Sequence, residues 1–326
     1  MELIAGDIGG TSCRLAWVTA EAGGAQLLRF EREYPSAAFA TADALIRQFV
    51  ADAALKHSPD SLLLALPGPM RIQRATLTNL DWTLDAADMR VSLGIPHVRF
   101  INDFQAAAAG VATQAADDMI SLNAQPVEPD GVRAVTGAGT GLGLAFMLPD
   151  GHGSYRCYPS EGGHIDFAPA NARQAQLLEQ LRTHYGHVSW ERVVSGLAMN
   201  DLYRFCRSES GALLNDEPVD GAALAARANA GDPAAEAALE LFIDLYGAWV
   251  GNVALLYQPR GGLYIAGGIA THLQARMRSP RFMAAAADKG RMRGVVERTP
   301  IFLVTNQRLG VRGAIAAALH PEPVLE

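Results

Sequence analysis

The sequence predicts an α/β protein of two domains in which one fold occurs twice. Short β-branched and leucine-rich runs alternate with helical patterns along the chain, and this alternation is typical of α/β architecture. A chain of 326 residues exceeds the size that one hydrophobic core usually serves, so two domains are expected. Two similar glycine hairpins lie about 130 residues apart along the chain, which favours a duplicated fold.

The predicted strands and helices follow from the spacing of the apolar residues. Strands are expected at 3–8, 14–19, 62–66, 98–101, 132–136, 142–148, 263–266 and 301–304. Helices are expected at 42–57, 104–111, 172–185 and 234–257, with a further helix beginning near Glu191. The segments 125–131 and 215–220 are predicted surface loops, and the first of them follows the first expected passage between domains.

Composition excludes several classes of protein. The formal charge is −7, whereas a protein that holds nucleic acid normally presents a basic face. Nucleotides are not excluded, because backbone N–H groups and a metal ion can hold them. The three cysteines, Cys13, Cys157 and Cys206, are far apart and form no C-x-x-C pair, so neither a zinc knuckle nor a disulfide framework is expected. We therefore predict a protein of the reducing cytoplasm.

No membrane segment is predicted. The N-terminus contains Glu2 and Asp7 in place of the basic residues of a signal peptide. The most apolar long stretch, 245–259, is too short to span a bilayer and follows acidic residues at helical spacing. We interpret it as a buried helix.

Two common nucleotide signatures are absent from the sequence. It contains no G-x-x-x-x-G-K-[ST] run, which excludes a P-loop. In the glycine run 137–143, Leu142 stands where the last glycine of a dinucleotide fingerprint belongs.

The two glycine hairpins are the candidate phosphate sites. The first is Gly6-Asp7-Ile8-Gly9-Gly10-Thr11 and the second is Gly137-Ala138-Gly139-Thr140-Gly141. Glycines at a tight turn between strands leave N–H groups uncovered towards an anion, and threonine adds a hydroxyl donor. The Asp7 carboxylate is suited to hold a hydrated Mg²⁺. The alternative is a simple hairpin turn in which glycine supplies a positive φ, but the repetition favours two phosphate clamps.

Asn102 and Asp103 directly follow the predicted strand 98–101. Loops at the carboxyl ends of strands are where α/β proteins place ligands. Asp103 is therefore a candidate general base for a substrate hydroxyl, and Asn102 a candidate hydrogen-bonding partner of a sugar. The alternative, which position alone favours, is an Asn or Asp cap of the helix 104–111.

Three further segments carry residues suited to a sugar or a nucleoside. Glu161 and His164 flank two glycines and offer the acceptors and donors that sugar hydroxyls need; the alternatives are a metal pair and a structural histidine. Glu191 stands near the start of a predicted helix, where the helix dipole also explains an acid. Gly267-Gly268 follow the predicted strand 263–266, where they suit an adenine or ribose or form a simple turn.

Together these segments resemble the bacterial glucokinase family, the non-ROK branch of the hexokinase and actin-like sugar kinases. The matching runs occur in the family's order; they are GDIGGT at 6–11, INDF at 101–104, GAGTGLG at 137–143, EGGHIDFAP at 161–169, GHVS at 186–189, ERV at 191–193 and IAGGI at 265–269. The related ROK kinases carry a cysteine-rich zinc motif that this chain lacks.

The resemblance implies a fold and a set of roles. The fold would be the duplicated actin-like (ribonuclease H-like) ATPase fold, with a small α/β domain of 1–113 plus 305–326, a large one of 114–304 and a cleft between them. Asp103 would be the catalytic base. The implied sugar ligands are Asn102, Asp103, Glu161, His164 and Glu191, and the implied nucleotide ligands are Gly6, Asp7, Ile8, Gly9, Gly10, Thr11, Gly137, Gly139, Thr140, Gly141, Gly267 and Gly268, with Asp7 holding Mg²⁺ through water.

The activity implied is that of a cytoplasmic glucokinase that uses ATP and Mg²⁺ on the 6-hydroxyl of glucose, with a homodimer common among similar enzymes. Two segments depart from the family pattern: 66–70 lacks an expected acid, and 306–313 replaces a stretch richer in glycine and proline. The alternatives are a kinase for another hexose or amino sugar, a non-catalytic sugar-sensing regulator and an actin-like filament ATPase. The first phosphate turn begins at residue 6, which leaves no room for the regulator's usual N-terminal DNA-binding domain.

Overall fold

The computed structural model describes residues 1–21, 26–68, 70–77, 80–211 and 218–319. Pro69, part of the predicted loop 215–220 and the predicted small-domain residues 320–326 lie outside the described residues. Contacts group the chain into two units. The first consists of Met1–Ala116, Tyr155–Pro159 and the segment from Asn306, and the second of Asp117–Ser154 and Ser160–Thr305. The predicted domain boundaries stay a prediction, because grouping by contact does not show which segments fold independently.

Strands and helices alternate along the described chain. The strands are β1 (Glu2–Ile8), β2 (Ser12–Ala20), β3 (Gln26–Pro35), β4 (Ser61–Leu66), β5 (Arg74–Leu77), β6 (Trp82–Asp85), β7 (His97–Asn102), β8 (Met119–Ser121), β9 (Arg133–Ala138), β10 (Leu142–Pro149), β11 (Tyr155–Ser160), β12 (Leu263–Ala266) and β13 (Ile301–Val304). The α-helices are α1 (Ala42–Asp52), α2 (Ala86–Leu93), α3 (Asp103–Val111), α4 (Ala172–Tyr185), α5 (Ala198–Glu209), α6 (Gly221–Asn229), α7 (Pro233–Tyr257), α8 (Gly268–His272), α9 (Gln274–Met277), α10 (Pro280–Ala287), α11 (Arg293–Glu297) and α12 (Leu309–Leu319). Short 3₁₀ helices occur at Ser36–Ala38, Ala116–Asp118, Gly162–His164, Trp190–Arg192 and Gly290–Met292.

A five-stranded sheet forms the centre of the first unit, in the order β3-β2-β1-β4-β7. β1 pairs antiparallel with β2, which is the predicted hairpin, and parallel with β4, and β4 pairs parallel with β7. Asp7 lies beside Ala65, and Ala65 beside Ile101. The carboxyl ends of β1 and β7 therefore reach the same edge of the sheet, two strand spacings or about 10 Å apart.

A six-stranded sheet follows the order β11-β10-β9-β12-β13-β8. β9 and β10 form an antiparallel hairpin, and β12 and β13 run parallel to β9 and to each other. The first five strands of this sheet repeat the chain order of the other sheet, with β8 added at the edge. The duplicated α/β fold that the two glycine hairpins predicted is therefore confirmed.

The apolar helix α7 forms the core of the second unit. Trp249 and Tyr246 are fully buried on it. The Trp249 Nε1–H donates to Thr136 Oγ1 at 2.8 Å, and the Tyr246 hydroxyl accepts from the Ala138 N–H at 3.1 Å. Because both partners belong to β9, α7 aligns the strand that leads into the second hairpin. In the described part of the chain α7 is also the one helix long and apolar enough to cross a membrane, but 72% of its most apolar window is buried inside the protein.

Helices α3 and α12 pack closely in the first unit because glycine lines their contact. A Cβ at Gly313 would overlap the carbonyl oxygen of Ala106, and one at Gly110 would overlap the backbone of α12. The start of α12 lies beside the end of β1, since a Cβ at Gly310 would overlap the carboxylate of Asp7. The start of α12 therefore packs against the end of the strand that leads into the first candidate phosphate turn.

Two predicted helices differ from those observed. The helix predicted at 42–57 ends at Asp52, because Ala54 takes a left-handed φ of 51°. The helix predicted near Glu191 is only the 3₁₀ turn Trp190–Arg192. In addition, β3, β5, β6, β8 and β11 were not predicted from the sequence.

Candidate functional site

The first candidate phosphate turn is Gly9-Gly10-Thr11, between β1 and β2. The Gly9 N–H donates to Ser12 O at 2.9 Å, which closes the turn. The buried Ser36 fixes it from behind, since its hydroxyl donates to Gly9 O at 2.7 Å and its N–H donates to Thr11 O at 3.0 Å. Sequence reasoning missed Ser36, because no local pattern links it to a turn so far back in the chain.

Gly6 and Ile8 of the first motif lie within β1. A Cβ at Gly6 would lie 2.8 Å from Leu64 Cδ2 and would overlap a second apolar side chain even more closely. Ile8 is buried in the core. Packing within the sheet therefore accounts for these two residues. Their role in nucleotide binding stays a prediction.

Asp7 lies at the carboxyl end of β1, close to the charged side chains of Arg14 and Glu33. Burial raises the pKa of Asp7 to about 6, Arg14 opposes this increase and Glu33 adds to it. Arg14 is itself held in place, because it pairs with Glu33 and donates to Gln307 O at 2.9 Å. With a pKa of about 6 the carboxylate is mostly ionised at neutral pH.

The surroundings of Asp7 fit one mode of Mg²⁺ binding. No group of three or more His, Cys, Asp or Glu side chains suited to a metal occurs among the described residues. Mg²⁺ commonly takes only one or two protein carboxylates and completes its shell with water and substrate phosphates. An ionised carboxylate next to a glycine turn suits that arrangement.

Asn102 and Asp103 lie where β7 meets α3. Asn102 is the N-cap of α3, and its Oδ1 accepts from the N–H groups of Phe104 and Gln105 at 2.9 and 3.2 Å. The capping alternative considered for this position is therefore correct for Asn102. Its Nδ2 also donates to Gly68 O at 3.4 Å. Asp103 is the first residue of α3, and one of its carboxylate oxygens accepts from the Phe104 N–H at 2.8 Å. The cap fixes both side chains at the sheet edge where the Gly9–Thr11 turn lies.

The second candidate phosphate turn is Gly139-Thr140-Gly141, between β9 and β10. The Gly139 N–H donates to Gly141 O at 2.8 Å, and Gly139 O accepts from the Gly196 N–H at 2.8 Å. Gly139 and Thr140 are exposed. Gly137 lies below them in β9, where a Cβ would overlap the carbonyl oxygen of Ala266 in β12.

Glu161, His164 and Glu191 come together beside this second turn. His164 Nε2 lies 3.9 Å from Glu161 Oε2, and His164 Nδ1 lies 3.9 Å from Glu191 Oε1. Glu161 and His164 are exposed side chains, whereas 23% of the Glu191 side chain is exposed. The other oxygen of Glu191, Oε2, accepts from the Leu142 N–H at 2.9 Å. Two carboxylates and an imidazole thus present both donors and acceptors within a few ångströms, as polyhydroxylated ligands require.

The two glycines between Glu161 and His164 pack closely against β10. A Cβ at Gly163 would overlap the carbonyl oxygen of Leu142, and one at Gly162 would lie 2.5 Å from Leu144 Cδ2. The backbone of this turn therefore rests directly on the strand that leaves the second glycine turn. The sequence shows the glycines but contains no signal for the strand that they touch.

Gly267 and Gly268 follow β12 and begin the short helix α8. Gly267 has a φ of 98°, and a Cβ there would lie 2.7 Å from the carbonyl oxygen of Ala138. A Cβ at Gly268 would meet nothing within 4 Å. Gly268 therefore leaves an open approach to the backbone beside the second hairpin.

The structure groups the predicted site residues into two sets. In the first unit, the Gly9–Thr11 turn, Asp7, Asn102 and Asp103 share one edge of the sheet. In the second unit, Glu161, His164 and Glu191 lie beside the Gly139–Gly141 turn, and Gly267 lies next to Ala138 at the end of β9. The roles of all these residues stay predictions.

The chain is similar to glucokinases in both sequence and structure. The chain matches the family model described as glucokinase over residues 4–321. A curated glucokinase of Synechocystis sp. is 39% identical, with 98% of each chain covered. The structure of a glucokinase from an Antarctic psychrotroph is similar with a TM-score of 0.83 at 30% identity, covering 98% of this chain and 99% of that chain. A Balamuthia mandrillaris glucokinase, solved in complex with glucose, has a TM-score of 0.81 at 24% identity, covering 98% and 93%. The predicted actin-like fold class is therefore confirmed.

Proposed function

The chain belongs to the glucokinase family, and on this premise we propose how its residues carry out the transfer of a phosphoryl group from ATP to the 6-hydroxyl of glucose. The enzyme is a glucokinase, and ADP and glucose 6-phosphate are its products. The observation that carries the assignment of residues is the cluster of Glu161, His164 and Glu191 against a glycine turn of phosphate size.

The sugar is held by polar side chains of matched character. Glu161 and Glu191 accept hydrogen bonds from sugar hydroxyls, and His164 donates or accepts according to its tautomer. The Asn102 Oδ1 already accepts hydrogen bonds from two N–H groups. Asn102 therefore offers the sugar only its remaining hydrogen-bonding capacity. Buried sugar hydroxyls that find such partners discriminate strongly against molecules that lack them.

The nucleotide is held mainly by backbone. The turns Gly9–Thr11 and Gly139–Gly141 supply N–H groups and threonine hydroxyls to the phosphates, and Gly267-Gly268 border the adenosine. Asp7 would hold Mg²⁺ through water, and the ion, when bound, would supply positive charge to neutralise the phosphate oxygens.

Asp103 is the general base in this mechanism. Phosphoryl transfer passes through a loose transition state that demands little of the nucleophile, so positioning and charge neutralisation dominate. Asp103 accepts the proton of the 6-hydroxyl late in the reaction and therefore needs no strongly raised pKa. Its place at the first turn of α3, fixed by the Asn102 cap, sets the direction of its carboxylate.

The proposal also covers where the enzyme acts and how it assembles. The enzyme acts in the cytoplasm as a homodimer and binds neither nucleic acid nor a membrane. The net charge of −7 and the burial of α7 support the last two points. Size-exclusion chromatography with light scattering measures the assembly.

The direct test is glucose-dependent ADP formation with Mg-ATP, followed by a coupled assay. We expect turnover with glucose and little or none with buffer alone. A panel of mannose, fructose and glucosamine separates a glucokinase from a kinase of another hexose or amino sugar. Nucleotide hydrolysis that is indifferent to every sugar would instead indicate the filament ATPase, and sugar binding without turnover the sensing regulator.

Substitution Glu161→Ala is expected to raise the KM for glucose by about 10- to 10²-fold, because a sugar hydroxyl loses its hydrogen-bond acceptor. The kcat is expected to change much less. Steady-state kinetics over a glucose series measures both. Glu179→Ala, an exposed change on α4, is the control for removal of a carboxylate. An unaltered KM in Glu161→Ala would place the sugar elsewhere.

A further inference from the structure

Glu191 has two oxygens with two different surroundings. Oε1 faces His164, with 3.9 Å to Nδ1, on the side assigned to the sugar. Oε2 accepts from the Leu142 N–H at 2.9 Å. Leu142 is the first residue of β10, directly after the Gly139–Gly141 turn. One carboxylate thus touches both the sugar-binding residues and the strand that carries the nucleotide turn.

Two further contacts join the same segments. The turn between Glu161 and His164 rests on the carbonyl of Leu142 through Gly163. Beyond Glu191, the Gly196 N–H donates to Gly139 O at 2.8 Å. Leu142 is therefore contacted on its N–H by one sugar-binding segment and on its carbonyl by the other. Both sugar-binding segments therefore meet at the first residue of β10.

The bond from Leu142 to Glu191 is the part of this junction that a ligand can change. A hydrogen bond to an ionised carboxylate is shorter and stronger than a neutral one, and its direction depends on where the carboxylate points. A hydroxyl that binds Oε1 fixes the rotation of the whole group. It thereby also fixes Oε2 and the peptide that donates to it.

We propose that Glu191 is a positioning residue that couples sugar binding to nucleotide binding through the Leu142 N–H. Sugar on Oε1 orders the Gly139–Gly141 turn, and nucleotide on that turn orders Glu191 for the sugar. By linkage, each ligand raises the affinity for the other by the same factor. The proposal rests on the proposed function, which assigns the sugar to Glu161, His164 and Glu191.

The chain offers a matched pair of glycine substitutions for the test. A Cβ at Gly141 would overlap Oε2 of Glu191, the end of a flexible side chain, whereas a Cβ at Gly139 would meet nothing within 4 Å. Gly141→Ala therefore pushes the carboxylate away from Leu142 and leaves the sugar-binding side chains present. Gly139→Ala adds the same methyl group to the same turn without touching Glu191.

The measurement is the dissociation constant of AMPPNP with Mg²⁺, by calorimetry, with and without saturating glucose. In the unaltered protein we expect glucose to tighten AMPPNP by about 5- to 50-fold. In Gly141→Ala the ratio is expected to fall below about twofold, and glucose affinity without nucleotide to fall by about tenfold. Gly139→Ala is expected to keep the ratio, whatever it does to nucleotide affinity itself.

A second set of variants shows whether the effect passes through Glu191. Glu191→Ala is expected to remove the effect of glucose on AMPPNP affinity. Gly141→Ala added to it is expected to change nothing further, because the methyl group then has room. Glu191→Gln keeps an oxygen for the Leu142 N–H, so it is expected to retain a ratio of about threefold or more even though its sugar affinity falls.

The outcomes separate this inference from the proposed function. An unaltered protein that phosphorylates glucose but shows equal AMPPNP affinity with and without sugar overturns the coupling alone. The same holds if Gly141→Ala and Gly139→Ala lower the ratio equally, or if the effect of Gly141→Ala adds fully to that of Glu191→Ala. An unaltered protein that neither binds nor phosphorylates glucose overturns the proposed function itself.

Discussion

Asp103→Asn is expected to lower kcat by about 10²- to 10⁴-fold, the usual contribution of a general base. The amide has nearly the shape of the carboxylate and can still accept a hydrogen bond, so the KM for glucose is expected to stay within about threefold. The N-cap of α3 belongs to Asn102, which is unchanged, so the helix is expected to stay folded. Steady-state kinetics with Mg-ATP and glucose measures both constants.

Asp43→Asn provides the control for this substitution. Asp43 also stands in the first turn of a helix, α1, so the change removes the same charge from the same kind of position. Loss of an acid near a helix N-terminus costs about 0.3–1 kcal/mol of stability. Melting curves show whether the two variants lose a similar amount. We expect kcat to be unaffected in Asp43→Asn. A kcat of Asp103→Asn close to that of the control would remove Asp103 from the role of base.

The glycine hairpins were predictable from the sequence because their signal is local. A short apolar run, then glycines with a hydroxyl residue, then a second apolar run specifies strand, turn and strand without reference to the rest of the chain. Both hairpins are present, and the sheets built on them share one strand order. The core strands β12 and β13 were predictable for the same reason, since each is a continuous apolar run.

The strand β3 was not predictable in this way. It is one of the two edge strands of its sheet, and most of its side chains are exposed. Edge strands carry charged residues that discourage pairing with other chains, and the sequence of β3 contains Arg29, Glu31, Arg32 and Glu33. Such a segment lacks the apolar alternation from which a strand is recognised. Its pairing with β2 is therefore not indicated by its own residue pattern.

Candidate site residues were predictable as residue types, but their contacts were not. Glu161, His164 and Glu191 attract notice as polar groups near glycines and turns. Nothing local indicates that Glu191 bonds to Leu142, because 49 positions separate them. The contact exists only because β10 passes both segments. Long-range contacts of this kind between a side chain and the backbone follow from topology.

Gly163→Ala is expected to lower kcat/KM for glucose by about 10²-fold, the effect of displacing a binding group by roughly 1 Å. The added Cβ would overlap the carbonyl oxygen of Leu142, a backbone atom that cannot turn aside without moving β10. Relief therefore requires the turn that carries Glu161 and His164 to lift from the strand. Both side chains then lose their positions relative to Glu191.

Gly162→Ala is the matched control, because it adds a methyl group to the same turn against a different kind of neighbour. Its Cβ would lie 2.5 Å from Leu144 Cδ2, the end of a side chain that can change rotamer. We expect kcat/KM to fall by less than about tenfold, since repacking one side chain commonly costs about 1 kcal/mol. Melting curves of both variants show how far each fold is perturbed. A kcat/KM of Gly163→Ala that is no lower than that of Gly162→Ala would contradict this prediction. It would mean that the positions of Glu161 and His164 do not depend on the contact between Gly163 and Leu142.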